Sequence, residues 1–504
     1  VLARGPLLAL VVALLAHGWG IPGGFVLDDR PAILEHPVVN GAAPLSALLD
    51  YNHLGERLDG SYSGPTLRPV ATALFRLQYA AFGRSAPPYH LVSLLLYLLT
   101  LIVAHRLFRR LGVPEGQASF AVALFAVLAI HVEVTASVAN TSETLVLLAS
   151  LSALELALRG GARALVVSAL MLLLALGSKE SAVLTPLLLA WLLWARGELR
   201  RAKLPLGLFV GLTAAFLLFR AQFVPLSVAG ITSGADNVLM GAGLGERLWT
   251  PLVLLGRYLA LTLLPVGLAA DYSYGSMVAQ VNLADPHGWL GLGLVACLLW
   301  GIFAQLRGPA PRLIAAAAGA FAISYVLASN SVWLITILFA ERLFLAPSLW
   351  LCLLLTVTLE RVAEVAPRLR SLALPALALV VASQVGLSAS RCLDWRDEGT
   401  LVLAQVRSEP ASLKGRLYLA RHLAQGDPAG ALWQLGVAAA GRRAFPRPWR
   451  APLPTLLPAP TSVEARQRRL TLLLRLPRLI APEIAPARVW MGLAARARRL
   501  LGPR

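Results

Sequence analysis

Two adjacent carboxylates, Asp28 and Asp29, stand about seven residues beyond an apolar run at 6–21. A carboxylate pair at the edge of hydrocarbon is costly unless it has a partner or a task. Three tasks suit it: general base toward a hydroxyl, ligand to a divalent cation, or cap of the next helix. An apolar pocket raises a carboxyl's pKa, which makes it a better base near neutral pH. His131 and Glu133 follow at the end of a later apolar run, and Glu143 opens the next one. His-X-Glu is a metal-ligand spacing, yet no further His or Cys is grouped with it, so metal binding stands beside a structural or substrate-bonding role. Lys179 and Glu180 occupy a tight turn between two short runs, Glu341 and Arg342 repeat the pattern, and Arg68 precedes Pro69. Each basic residue is either neutralised locally or held for a phosphate, which Arg takes in two parallel hydrogen bonds.

The elements that must position these groups are membrane helices. Of 504 residues 57% are hydrophobic and 14% charged, with a mean hydropathy of +0.69, which excludes an ordinary soluble chain. Crossings are predicted at 6–21, 89–108, 117–138, 143–158, 164–178, 182–196, 204–226, 288–306, 313–328, 343–360 and 372–390. That makes about 11 spans, many near the roughly 20 residues that traverse hydrocarbon. The run 251–268 reads as interfacial or re-entrant, since a full crossing would invert every later loop. The N-terminal run reads as an uncleaved first helix.

Basic segments at 106–110, 159–163, 196–203, 307–312 and 361–370 alternate with cation-poor loops. The positive-inside rule then puts the N-terminus in the cytoplasm and the C-terminal region outside. On this topology Asp28, Asp29, Glu133, Glu143, Glu180, Asp271 and Glu341 all fall on the non-cytoplasmic side, as an outward-facing polar cavity would require. Glu155 is the one acid placed well inside a span. Residues 442–504 hold fourteen Arg against Glu464 and Glu483, about +12 of the formal +19. Such a tail suits a solvated extension or contact with anionic lipid headgroups; it carries no nucleic-acid recognition pattern. Cys297, Cys352 and Cys392 make no disulfide framework.

The predicted organisation is a polytopic membrane domain over 1–390, with external loops 22–88 and 227–287, a helical region over 391–445, and a basic Pro/Arg-rich tail over 446–504. The first loop holds a turn-rich stretch at 59–64 and a helix-like piece at 68–82. The stretch 412–440 reads as a hairpin around Gly426 and Asp427, with Leu417, Leu419, Ala420 and Leu423 on one face. It resembles one degenerate tetratricopeptide repeat, which cannot bury its own faces.

A set of pieces in fixed order carries a family resemblance: Phe25 to Asp29 with Ile33 and Val38; Arg68 to Val70; Tyr89, His90 and Ser93; Leu124 and Phe125 before His131 and Glu133; Ser178 to Glu180; Ala269 to Ser273; Ala340 to Leu345 with Pro347 and Ser348; and Trp395 to Asp397. Together they resemble the membrane portion of the transmembrane and tetratricopeptide-repeat-containing proteins and their bacterial relatives, within the polytopic glycosyltransferases of the C-type (GT-C) fold. The pattern departs from the family's at Leu128 and Ala129, at Ser137, and at Asn140 and Thr141. The resemblance implies an all-α bundle with a short repeat-like extension. It implies inverting transfer of a hexose, mannose above all, from a polyprenyl-phosphate-linked donor to a hydroxyl of a protein, glycan or lipid acceptor on the non-cytoplasmic face. No cofactor is required, though a divalent cation is compatible. Asp28 or Asp29 would be the base. Arg342, Lys179 and Arg68 would face the phosphate, and His131 and Glu133 would line the sugar or acceptor pocket. His90, Glu143, Glu180, Asp271, Tyr272 and Glu341 join the expected substrate-binding set. The abundance of Ala, Leu and Arg suits a GC-rich bacterium, so the expected location is the inner membrane with the site facing the periplasm or exterior.

Two other classes share parts of this pattern. A transporter or flippase for a lipid-linked glycan would show charges at span midpoints and internal repeats; no repeat is seen, and Glu155 is the one strong candidate for a charge inside a span. A catalytically inactive scaffold would dock partners through the tail and hairpin; it is distinguished by loss of any dependence on Asp28 and Asp29.

Overall fold

Within the described residues the apolar runs read as crossings fold mainly as helices, the run 117–138 in two pieces, and Pro and Gly supply much of the punctuation. Pro enters at the first turn of several helices, where no intrahelical N–H bond is lost, as at Pro69, Pro87, Pro186 and Pro286. Gly160, at φ 77°, stops one helix so that the next can start two residues later and run back along it. The computed structural model of the protein describes residues 4–58, 66–224, 237–272, 276, 277, 279, 281–306, 308, 309, 312–365, 367–423, 427, 430, 431 and 434. The stretch 59–64, Asp236, Ser273, most of the expected second half of the 412–440 hairpin and the basic tail lie outside the described residues.

Among those residues no strand forms, and one isolated bridge joins Tyr51 to Arg57. The helices in chain order are α1 (Arg4–His17), α2 (Pro37–Asn40), α3 (Pro69–Phe82), α4 (Pro87–Arg110), α5 (Glu115–Ala126), α6 (Val132–Ala136), α7 (Thr141–Arg159), α8 (Ala162–Ser178), α9 (Thr185–Ala195), α10 (Lys203–Arg220), α11 (Leu244–Leu263), α12 (Pro286–Gln305), α13 (Leu313–Tyr325), α14 (Leu345–Val365), α15 (Pro367–Asp394), α16 (Glu398–Ser408) and α17 (Leu413–Leu423). The protein is an all-α, multi-pass membrane bundle. Five of its helical segments are long and apolar enough to cross a bilayer: Pro87–Arg110, Thr141–Arg159, Lys203–Arg220, Pro286–Gln305 and Glu341–Val362. A sixth arises if α5 and the bent segment after it count as one span, and four shorter apolar helices take up other runs. The segment Thr141–Arg159 sits centrally, with 78% of its apolar window buried, whereas Lys203–Arg220 buries only 17% and lies at the rim.

The break between α5 and α6 decides where the site can be. The run 117–138 contains neither Gly nor Pro, and a straight helix is expected there; instead the chain turns by 59°. A break in a membrane helix frees backbone groups that must find partners inside the protein. Helix α15 supplies them: Ser388 Oγ donates to Val127 O at 2.7 Å, and the Ala129 N–H donates to Gln384 Oε1 at 3.1 Å. His131 fills the inside of the bend, with Nδ1 2.9 Å from Tyr97 OH on α4 and Nε2 2.8 Å from Ser348 Oγ on α14. The bend turns α6 aside, so that Glu133 and Ser137 meet residues of distant segments.

Helix α11 takes up the ambiguous run 251–268 as far as Leu263 and packs lengthwise on α12. The contact is glycine-lined: a Cβ on Gly291 would sit 2.0 Å from Leu252 O, and one on Gly256 1.9 Å from His287 O. Small residues at such a seam let backbones touch. Helix α17 packs on α16, joined to it through 409–412, and from α17 Arg416 donates to Gln434 Oε1 at 2.7 Å. Replacing Gly291 by Ala forces α11 and α12 apart, since backbone atoms cannot swing away. The expected result is a loss of about 1–3 kcal/mol, seen as a lower Tm in detergent; an unchanged Tm would show that the seam is loose.

Candidate active site

The charged residues gather at one end of the bundle through pairs that cross between helices. Arg342, at the start of the α14 segment, donates its backbone N–H to Glu133 Oε2 at 2.8 Å and its guanidinium to Glu133 Oε1. Lys179 Nζ pairs with Glu143 Oε1 in the first turn of α7. Arg68 pairs with Glu180 Oε2 at 3.3 Å and donates to Ser142 Oγ at 3.2 Å. The local pairing weighed from sequence for Lys179 with Glu180, and for Arg342 with Glu341, is not formed. Lys179 is extended (φ −162°, ψ 151°), and neighbouring side chains on extended backbone point apart. Each then meets the opposite charge of another segment, as a charge withdrawn from water requires. Arg220 adds a fourth cation within Coulombic reach of Glu180.

Asp28 and Asp29 separate cleanly. Asp29 is wholly buried and saturated: Oδ1 accepts from Ser137 Oγ at 3.0 Å and Ala139 N at 2.7 Å, and Oδ2 accepts from Val26 N at 3.1 Å. Burial lifts its pKa from 3.8 to about 6, with these hydrogen bonds pulling the other way. Asp28, one residue earlier, is exposed and lies within Coulombic reach of the Arg342 guanidinium. Between Val26 and Asp28 the backbone of Leu27 takes φ 43°, a left-handed conformation that costs a non-glycine residue about 1–2 kcal/mol. Asp29's three hydrogen bonds hold that turn and thereby aim Asp28 outward.

The remaining expected residues divide by exposure. Arg68, Lys179, Glu180 and Arg342 retain partial access at the bundle mouth, with side-chain exposures between 11% and 31%. Glu133 and Glu143 lie beneath them as counter-ions. His131 is not at the mouth: fully buried inside the α5–α6 bend, it ties three helices. His90 is also buried, its Nε2 3.3 Å from Gly24 O. Glu341 is buried, its Oε1 accepting from Tyr272 OH and Ala269 N, both at 2.7 Å. Asp271 faces the other way, accepting from Ser412 Oγ at 3.1 Å.

Several members of the site carry no sequence signal. His53 is buried with Nε2 3.2 Å from Ala139 O; burial first, and the Arg68 charge second, hold its pKa well below the usual value and keep it neutral. Ser137 and Ser142 are serines in an apolar run, recognisable only once their partners are known. Among the described residues, no three His, Cys, Asp or Glu side chains converge as a metal-ligand set.

A carboxyl whose folded pKa exceeds its unfolded one binds its proton more tightly in the folded state. Stability from Asp29 is therefore fullest below about pH 4 and falls as pH rises to 6, by on the order of 3 kcal/mol. The stability of the native chain relative to Asp29→Asn, measured by unfolding in detergent, is expected to decline from pH 4 to 7. A difference that stays flat across that range would show the carboxyl is not uncomfortably buried.

Comparison with known proteins adds an independent line. Residues 64–221 match the family model described as dolichyl-phosphate-mannose-protein mannosyltransferase. The protein O-mannosyl-transferase F38B6.6 of Caenorhabditis elegans is 25% identical over 368 residues, covering 71% of this chain and 51% of that one. The protein O-mannosyl-transferase Tmtc1 of Drosophila melanogaster is 28% identical over 499 residues, covering 78% and 56%. The chain spans about half the length of the curated relatives it matches. Among solved structures, the archaeal oligosaccharyltransferase AglB of Archaeoglobus fulgidus covers 91% of this chain and 60% of that one, at 14% identity and a TM-score of 0.40. So loose an overlay fixes no residue correspondence. In sequence, the chain resembles the transmembrane and tetratricopeptide-repeat-containing protein O-mannosyl-transferases, as its ordered motifs led one to expect.

Proposed function

We propose that this protein is a membrane glycosyltransferase that moves a hexose, mannose by analogy with its relatives, from a polyprenyl-phosphate-linked donor to an acceptor hydroxyl at the mouth of the bundle. The observation that carries this reading is the exposed Asp28 beside Arg342, in a mouth where Arg342, Lys179 and Arg68 are already oriented by buried or half-buried acids. Asp28 is the base, because Asp29's oxygens are occupied by three donors.

In this mechanism the Asp28 carboxylate takes the acceptor's hydroxyl proton. The acceptor oxygen bonds to the anomeric carbon from the face opposite the phosphate, and the bond from that carbon to the phosphate oxygen breaks with inversion. Its electron pair leaves on polyprenyl phosphate, whose charge grows by one while that of Asp28 disappears. Negative charge thus moves within the site instead of being created, from the loop carboxylate toward fixed cations. Pre-oriented cations stabilise that arrival without reorganising. Phosphate is a good leaving group, so no second acid is needed, and a divalent cation is not required by this reading. The acceptor is taken to be a protein hydroxyl. The site faces away from the cytoplasm, the periplasm in a bacterial host, on the strength of the basic loops at the opposite end.

Two substitutions test the assignment in proteoliposomes supplied with a panel of polyprenyl-phosphate sugars. Asp28→Asn is expected to lower transfer by roughly 10²–10⁴-fold, the usual worth of a general base, with Tm unchanged because the residue is exposed. Arg342→Ala is expected to weaken donor binding and also to lower Tm, since it leaves Glu133 buried without its partner. Transfer that survives Asp28→Asn at native rate would sink the base assignment.

A further inference from the structure

The helical extension that follows the bundle meets the loop beside the charged mouth through a buried glutamine, and meets the first loop through Leu401 and the Arg30–Glu398 pair. Gln405, on α16, is buried and satisfies three main-chain groups of a single loop: Oε1 accepts from Ala270 N at 2.7 Å and Asp271 N at 3.0 Å, and Nε2 donates to Asp271 O at 2.7 Å. Ser412, just before α17, adds its bond to the Asp271 carboxylate. The same loop grips the bundle from its other side. Ala269 N and Tyr272 OH both donate to Glu341 Oε1. Glu341 immediately precedes Arg342, and Tyr258 OH donates to Ala340 O at 2.9 Å. Residues 340–342 are therefore fixed from three directions: Tyr258 on Ala340, the 269–272 loop on Glu341, and Glu133 on Arg342.

We propose that Gln405 is a positioning residue for the cationic mouth: by holding the 269–272 loop against Glu341, the extension sets the placement of Arg342. The inference rests on the reading of Arg342 as a lipid-phosphate partner. Glutamine is required by the bonding. Its carbonyl takes two N–H groups while its amide serves a carbonyl, whereas Glu cannot donate and Ala leaves three buried main-chain groups unpaired. The loop is held from the bundle side by its two bonds to Glu341 and by Tyr272 packed on Phe339 at 4.8 Å, and from the extension side by Gln405 and Ser412, so losing the Gln405 bonds loosens one of its two sides. The buried Glu341 Oε2 accepts no hydrogen bond, and the nearest Arg391 nitrogen is 3.9 Å from Oε1, beyond direct bonding. Gln405 is thus the side chain of the extension that bonds the main chain of this loop, beside the Ser412 bond to the Asp271 carboxylate.

The test uses the full chain in nanodiscs, with undecaprenyl phosphate as the probe and two readouts: its Kd, and amide hydrogen exchange at 269–272 and 340–344. Gln405→Ala is expected to speed exchange in both segments and to weaken undecaprenyl phosphate binding by about tenfold. Gln405→Glu, which keeps the two accepted bonds, should fall between native and Ala. Glu155→Ala, at the opposite end of the bundle, serves as the control for general destabilisation, lowering Tm with Kd unchanged. Native Kd in Gln405→Ala, or exchange at 340–344 that does not respond, would overturn the inference while leaving the donor reading intact, provided Arg342→Ala weakens binding. A native chain that does not bind the lipid phosphate would overturn the donor reading, and this role with it.

Discussion

Charge taken out of water at the end of an apolar bundle must be met by opposite charge, and in this protein that requirement is satisfied between segments rather than within them. Arg342 reaches Glu133, Lys179 reaches Glu143, and Arg68 reaches Glu180. Each pair joins parts of the chain far apart in sequence, so the ion pairs define the geometry of the mouth as much as they neutralise it. Removing one member leaves its partner stranded, which costs far more than the intact pair contributes. The same logic governs the opposite end of the bundle, where the buried Glu155 is held by Arg110 at 2.8 Å and approached by Arg106 at 3.8 Å.

The second organising device is the bend between α5 and α6. A continuous span would leave Glu133 on the axis of its own helix. Turning the chain carries it to Arg342 and brings Ser137 to Asp29. The bend is tolerated because α15 supplies Gln384 and Ser388 to the freed backbone groups. His131 completes the repair with one ring nitrogen for each of two helices. A helix late in the chain thus maintains the shape of the site through two uncharged side chains, and sets Arg391 3.9 Å from Glu341.

Much of the architecture was legible in the sequence. The apolar runs marked the helices, and Pro and Gly marked their ends. What was not legible was everything depending on long-range register. Nothing in the Asp28–Asp29 doublet says which carboxylate turns inward, because the answer lies with Ser137 and Ala139, more than a hundred residues later. The run 117–138 offers neither Gly nor Pro, so its bend is a tertiary effect. His131 stood out through its His-X-Glu spacing with Glu133; its two partners, on α4 and α14, hold it inside the bend, which the spacing could not show. Gln405 looked like any polar position on an amphipathic helix.

The turn at Leu27 bears on the order in which the chain is made. Its left-handed backbone is held by Asp29, whose donors Ser137 and Ala139 belong to the turn between α6 and α7. A ribosome delivers residue 29 well before residue 139. During that interval the first loop has no means of keeping Leu27 strained or Asp29 buried, so it stays open and hydrated. Only after the third and fourth apolar runs have entered the bilayer does the loop acquire its final shape. Synthesis of the loop and closure of its turn are therefore separate events in biosynthesis.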